Sequence, residues 1–265
     1  MSKINKAIYE IHEMDEMADK NTNINRIHPL VKLILTVVYI TCVVSFDKYD
    51  IFGLLPMLLY PLIIFNLAEI SIKSCFKKLR VVLPLVCFVG LFNPLFDHTP
   101  LLHIGGVVIT GGVISMLTLV IKGIYTLVAT YLLVATTGIE KICYALRLLH
   151  IPGIIVTQIL LVYRYITLLM GEANAVIEAY SMRAPNQKGV KYKIWGSLIG
   201  QLLLRSIDRA ENIFDSMLLR GFNGEFYYSD RRRCTQTDYI YLFLWLGIIV
   251  GLRIVNIAGI IAVLL

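Results

Sequence analysis

Two arginines carry the most distinctive chemistry in this chain of 265 residues. Arg183 sits in Ser181-Met182-Arg183-Ala184-Pro185, and Arg220 in Ser216-Met217-Leu218-Leu219-Arg220-Gly221-Phe222. A guanidinium is a permanent cation with five donors in a planar fork, so it recognises carboxylates and carbonyls but serves as neither base nor nucleophile. The chemistry on offer is therefore recognition, not bond-making. One arginine at a helix end would only offset the helix dipole, worth well under about 1 kcal/mol when exposed. Two, each after a Ser-Met pair on consecutive long helices, point to a paired contact with a two-fold partner.

Other reactive groups add little. Asp97, His98 and His103 share one loop, but they are too few and wrongly spaced for a metal site. Lys122 and Arg253 fall inside apolar spans, where each costs on the order of 3 kcal/mol. They read either as an ion or proton pathway or as long side chains that snorkel or face a neighbouring helix. No acid lies mid-span in the predicted topology to complete a proton relay. Cys42, Cys75, Cys87, Cys143 and Cys234 form no Cys-x-x-Cys pair, and they read as small apolar residues or free thiols. There is no Gly-x-x-x-x-Gly-Lys-Ser/Thr loop, so the chain is not expected to hydrolyse ATP by itself. We expect no metal and no cofactor.

The elements that position the arginines are two long helices. Pro152 suits the first turn of one, and Pro185 ends it by excluding the α region from the residue before it. From Pro152 to Arg183 is about 48 Å of helix at 1.5 Å per residue, long enough to begin in a membrane bundle and carry its arginine beyond the surface. In the other, Trp195, Leu198, Ile199, Leu202, Leu203, Ile207, Ala210, Phe214, Met217 and Leu218 form an apolar stripe that must bury against something. Arg205, Arg209, Ser216 and Arg220 lie on another side, and Gly221 can take the left-handed position after the helix.

The rest of the chain reads as a platform in a membrane. Mean hydropathy is +0.73, with 57% apolar and 16% charged residues, too oily for a soluble domain of this size. The expected fold class is all-α, with about five transmembrane helices and two long cytoplasmic helices. Residues 1–28 form a polar N-terminal segment, with Ile4, Ile8 and Ile11 at helical spacing and too many acids for a signal peptide. Residues 29–137 hold four spans, at Pro29–Phe46, Ile51–Ala68, Val81–Phe96 and Thr110–Thr137. Residues 138–236 form a cytoplasmic module, and 239–265 form the last span. Of the 25 basic residues, 21 fall in 1–28, 69–80 and 138–236, which the positive-inside rule places in the cytoplasm. The net charge of +7 thus follows topology and implies no nucleic acid. Ile151–Met170 is apolar enough to cross, but an extra crossing would invert the charge pattern. We read it as half-sunk in the inner face or packed under the bundle.

These segments, in order, resemble the transmembrane T component of energy-coupling factor (ECF) transporters, ABC-type importers of micronutrients. The likeness runs through Asp15-Glu16-Met17-Ala18, Pro29-Leu30-Val31-Lys32-Leu33, Ala135-Thr136-Thr137 and Ile151-Pro152. It continues through Tyr163-Arg164-Tyr165, Glu172, Arg205-Ser206-Ile207-Asp208-Arg209-Ala210 and Ser216 to Phe222. The regions around Asp15, Tyr163 and Arg220 look more like the cobalt and nickel (CbiQ-like) type than the type shared among vitamin-binding subunits. The resemblance implies a multi-pass protein of a bacterial or archaeal cell membrane that is not itself an enzyme. It implies two ATP-binding cassette ATPases and a separate substrate-binding membrane subunit as partners, within the lipid bilayer. In that family each of two coupling helices ends in Ala-Arg-Gly, whose arginine enters a groove on an ATPase. The role maps here onto Met182, Arg183, Ala184, Leu219, Arg220 and Gly221. Met182 and Ala184 depart from both flanking residues of the motif, and Leu219 from its alanine.

Two other classes compete. A conventional ABC importer permease carries a Glu-Ala-Ala…Gly coupling loop, which Glu172-Ala173-Asn174 only grazes. A membrane-embedded enzyme needs acids, histidines or serines converging at one depth, and none is apparent.

Overall fold

The computed structural model describes residues 3–20, 22, 24–97, 100–104, 107–185, 187, 189–224 and 234–254. His98, Gly105, Gly106, Arg231–Arg233 and residues 255–265 of the last predicted span lie outside them, as does the side chain of His103. The helices are α1 (Lys3–Asp19), α2 (Pro29–Val44), α3 (Ile51–Leu54), α4 (Leu59–Ala68), α5 (Ile72–Gly90), α6 (Asn93–Phe96), α7 (Gly111–Thr137), α8 (Ile139–Leu148), α9 (Gly153–Arg183), α10 (Tyr192–Leu219) and α11 (Gln236–Ile254). The protein is an all-α polytopic membrane protein. It also holds, among the described residues, a small antiparallel hairpin, β1 (Pro100–Ile104) with β2 (Val107–Thr110), in a stretch read from sequence as a loop. Two compact units are present, residues 1–16 with 139–231 and residues 17–138 with 232–265.

Among the described residues, four helical stretches are long and apolar enough to cross a membrane: Ile51–Ala68, Gly111–Thr137, Gly153–Arg183 and Gln236–Ile254. Pro29–Val44 is shorter but apolar. The first of the four joins α3 to α4 through a 3₁₀ turn, Leu55–Leu58, where Pro56 removes a backbone donor. The predicted span Val81–Phe96 takes another form. One helix, α5, runs from Ile72 through Pro84 to Gly90, joining the basic segment to the apolar run, and the chain turns at Leu91 before α6.

In the second unit α2 is the central post. Val31, Leu35, Tyr39 and Val43 repeat every four residues along it and are almost wholly buried, the stripe of a core-facing helix. Tyr39 stacks on Tyr60 at 4.7 Å, and Tyr60 meets Trp245 edge-on at 5.0 Å. The Tyr39 hydroxyl donates to the Met57 carbonyl at 2.9 Å, so no polar atom is stranded there.

Both ends of α2 are held by charge. At its start His28 caps the helix, its Nδ1 accepting from the Leu30 N–H at 3.2 Å. The His28 N–H donates to buried Asp238 at 3.0 Å, and Lys32 Nζ donates to the Thr136 carbonyl at 2.9 Å. At its far end Lys122 Nζ donates to the carbonyls of Val44 and Phe46. Arg253 donates to the Ser45 carbonyl at 3.0 Å and lies 4.4 Å over the Phe46 ring. The cause is length. Sixteen residues span about 24 Å, less than the roughly 30 Å of hydrocarbon, so the last carbonyls of α2 end where lipid cannot satisfy them. Two cations supply the donors instead. Lys122 and Arg253 thus face a neighbouring helix end, which accounts for them without an ion pathway.

The turn after α2 is pinned outside the helices. Lys48 pairs with Asp97 at 2.9 Å, and the Tyr49 hydroxyl donates to the same carboxylate. Gly112 N–H donates to the Asp97 carbonyl at 3.1 Å. A Cβ on Gly112 would fall 2.6 Å from both that oxygen and Pro94 Cα, so the approach of α6 to α7 requires glycine.

Candidate functional site

Both arginines belong to the first unit. There α8 packs on α9, and Val156, Thr157 and Val176 are the buried residues of α9. The turn into α9 closes with His150 in the left-handed region at φ 62° and with the Ile151 N–H on the Leu146 carbonyl. Pro152 proves to be the residue that caps α9, one place before the first turn assigned to it from sequence. Asp15 and Tyr163, far apart in sequence, meet here. The Tyr163 hydroxyl donates to Asp15 at 2.6 Å, fastening the first residues of the chain to α9.

The two long helices cross at an ion pair between Glu172 on α9 and Arg209 on α10. The Glu172 side chain is only 17% exposed and Arg209 42%. From this crossing, α9 running back toward Ile154 and α10 running on toward Met217 line a groove of about 600 Å³. Leu161, Tyr165, Ile213 and Phe214 form much of its apolar wall. The helices therefore run in opposing senses, and Arg183 and Arg220 leave the crossing on opposite sides. Arg183 is eleven residues past Glu172, and Arg220 eleven past Arg209. Each arm is about 16 Å long at 1.5 Å per residue.

The two ends are built differently. Arg183 is the last residue of α9, and Ala184 leaves the helix at φ −134° ahead of Pro185. Arg220 caps α10, and Gly221 takes φ 80°, as its place after the helix predicts. The Phe222 N–H reaches the Met217 carbonyl at 3.0 Å and Gly221 N–H the Leu218 carbonyl at 2.9 Å. This is a Schellman turn, in which glycine escapes the Cβ penalty.

Both guanidiniums are exposed and, among the described residues, have no hydrogen-bond or ion-pair partner. Met182 is 79% and Leu219 91% exposed beside them. Ala184 is half-buried and Gly221 exposed, so the six residues singled out for partner contact form two separate helix tips and no shared pocket. The stripe on α10 has the same character. No residue of this helix is buried, and Ile199, Leu203, Ile207, Phe214 and Leu218 stand about half exposed. Among the described residues of the first unit, the apolar face read from sequence has no cover beyond the groove with α9.

Chemically the two tips offer exposed cations and apolar side chains, groups suited to recognition. Among the described residues no three His, Cys, Asp or Glu side chains converge as metal ligands. Four residues that matter to the fold were not singled out from sequence for their bonds. Lys32, Asp238, Asp15 and Tyr163 find partners 104, 210 and 148 residues away. The one local signal was Thr235 three places before Asp238. Asp238 accepts from the Thr235 N–H at 2.8 Å, the reciprocal half of a capping box.

A family model described as cobalt transport protein (CbiQ) matches residues 20–229. Nickel permease LarQ of Lactiplantibacillus plantarum is 29% identical over 107 residues, 40% of this chain and 39% of that protein. Uncharacterized protein MJ1571 of Methanocaldococcus jannaschii is 27% identical over 191 residues, 68% of this chain and 65% of that one. A provisionally named fused cobalt transport protein, CbiMQ, of Methanocorpusculum labreanum is 29% identical over 124 residues, 46% of this chain and 21% of its own length. The matches thus span less than two thirds of each relative.

Proposed function

Because the chain belongs to the CbiQ family of cobalt transport proteins, and is a multi-pass membrane transport protein, we propose that it is the coupling component of an ECF-type importer. In this reading two separate ATPases bind the tips of α9 and α10, and a separate membrane subunit holds the substrate. The cargo is a cobalt or nickel ion, a choice supported by the family and by relatives named for nickel and cobalt transport. The chain itself carries out no catalysis.

The observation that carries the reading is the pair of free arginines at the ends of two equal arms. Each is desolvated only when a partner groove receives it, and a charge-assisted contact is then worth about 1.5–3 kcal/mol. When ATP draws two subunits together, the arms turn about the Glu172–Arg209 crossing, because both helices are stiff over their length. A displacement at the tips becomes rotation of the apolar faces of α9 and α10, which are free to carry a membrane partner.

The topology proposed with it places residues 1–28, 69–80 and 138–236 in the cytoplasm. A cysteine at His103 then labels from outside, and one at Gln187 only after permeabilisation, in a chain whose native thiols are removed. Labelling of both from one side contradicts it. The activity test is direct. The purified chain should neither bind nor hydrolyse ATP, whereas its complex with the ATPases should hydrolyse it. Turnover by the chain alone would sink the reading.

A further inference from the structure

The first half of α5 holds Lys73, Lys77, Lys78 and Arg80, and no acid occurs between Glu69 and Asp97. None of the four has an ion pair or hydrogen bond among the described residues. Lys78 turns inward, its ammonium 5.4 Å over the Tyr131 ring. Lys73, Lys77 and Arg80 are exposed and, at steps of four and three, share one face of the helix. The same side of the helix then changes character abruptly. From Val81 onward it presents Val81 at 80% and Phe88 at 60% exposure, and Leu91, at 57%, continues it just past the helix end.

We infer that this face of α5 is a binding surface for an anionic phospholipid headgroup, with the acyl chains lying along the apolar half. The argument is one of matched layers. A partner for this face must be anionic over about 10 Å, the rise from Lys73 to Arg80, and hydrocarbon directly beyond. A phospholipid has that order, and a soluble acidic protein or nucleic acid does not. The position agrees, since only three residues separate α5 from Ala68, the end of a helix long enough to cross the membrane. Basic residues immediately beside a membrane-crossing helix are where anionic lipids are held. Exposed Phe76, next to Lys77 in sequence, adds an apolar ring at the same level. This surface is independent of the coupling role proposed above.

The test is native mass spectrometry of the full chain released from micelles doped with equal phosphatidylglycerol and phosphatidylcholine. The wild type should retain phosphatidylglycerol preferentially. The variant Lys73→Gln/Lys77→Gln/Arg80→Gln should lose that preference by about tenfold or more, and salt should weaken it in the wild type only. Lys191→Gln/Lys193→Gln, equal in kind but on α10, should keep it. Helical circular dichroism and a single gel-filtration peak would show that the triple variant is folded. If it misfolds, Lys77→Gln and Arg80→Gln are read singly, each with a partial loss. Equal retention of both lipids by the wild type, or an undiminished preference in the folded variants, overturns the inference. So does loss of co-purifying subunits with lipid retention unchanged, which would give the face to a protein.

Discussion

Glu172 on α9 pairs with Arg209 on α10, and each stands eleven residues before the free arginine that ends its own helix. The pair is lopsided. One Glu172 oxygen is buried with no partner, whereas Arg209 is near half exposed. Removing Arg209 strands a carboxylate, while removing Glu172 leaves a cation that water can reach. Arg209→Gln should therefore lower thermal stability in detergent more than Glu172→Gln, by about 1 kcal/mol. The exchange Glu172→Arg/Arg209→Glu should recover part of the loss in a double-mutant cycle. Equal losses with no coupling would remove the pair as the pivot.

The end of α10 depends on one backbone conformation. Gly221→Ala keeps open space around the new methyl group but forces alanine into the left-handed region, a cost of about 1 kcal/mol. Gly221→Asn should cost less, since asparagine tolerates that region. Association with the ATPases should follow the same order: wild type, asparagine, alanine. A fully bound alanine variant would show that the turn does not matter to the contact.

Lys122 and Arg253 should behave as caps and not as a conduit. Lys122→Met leaves the carbonyls of Val44 and Phe46 without this donor, which should cost about 1–3 kcal/mol. The melting temperature in detergent should drop while uptake per folded molecule persists. Uptake abolished at an unchanged melting temperature would restore the pathway reading.

What was legible in the sequence was what local chemistry decides. Pro185 and Gly221 stop their helices for reasons internal to a few residues, and the breaks fall beside Arg183 and Arg220 as expected. The α10 stripe was legible as apolar, but a sequence does not say which faces a lone chain leaves bare. The joined helix α5 was read as two pieces because Pro84 and the lysines both resemble boundaries, although a helix packed among neighbours absorbs one lost bond. The strand pairing of β1 with β2 and the ties of Lys32, Asp238 and Tyr163 are made at a distance along the chain. No local pattern announces them, apart from the Thr235 cap.

The loop pin offers a pH test. Hydrogen bonding to Tyr49, then to Asp97, together with the charge of Asp97, raises Lys48 from 10.5 to about 12. A raised cation stabilises the fold fully below its unfolded pKa and loses that effect as pH rises through the folded one. The stability difference between wild type and Lys48→Met should be constant up to about pH 10.5 and shrink toward pH 12. Exposure keeps the effect small, so it is read as a difference of melting curves. A difference that grows over this range would contradict the pairing.

The central claim rests on Arg183 and Arg220, and ATPase co-purification with their variants tests it most directly. Arg183→Ala or Arg220→Ala should each weaken association about ten- to a hundredfold, since 1.4 kcal/mol is a factor of ten. Lysine should rescue only partly, because it keeps the charge and loses the planar fork. Arg183→Ala/Arg220→Ala should reach the membrane, bind no ATPase and support no uptake. If that double variant brings down the ATPases at wild-type yield and transports normally, the arginines are helix-end charges and nothing more.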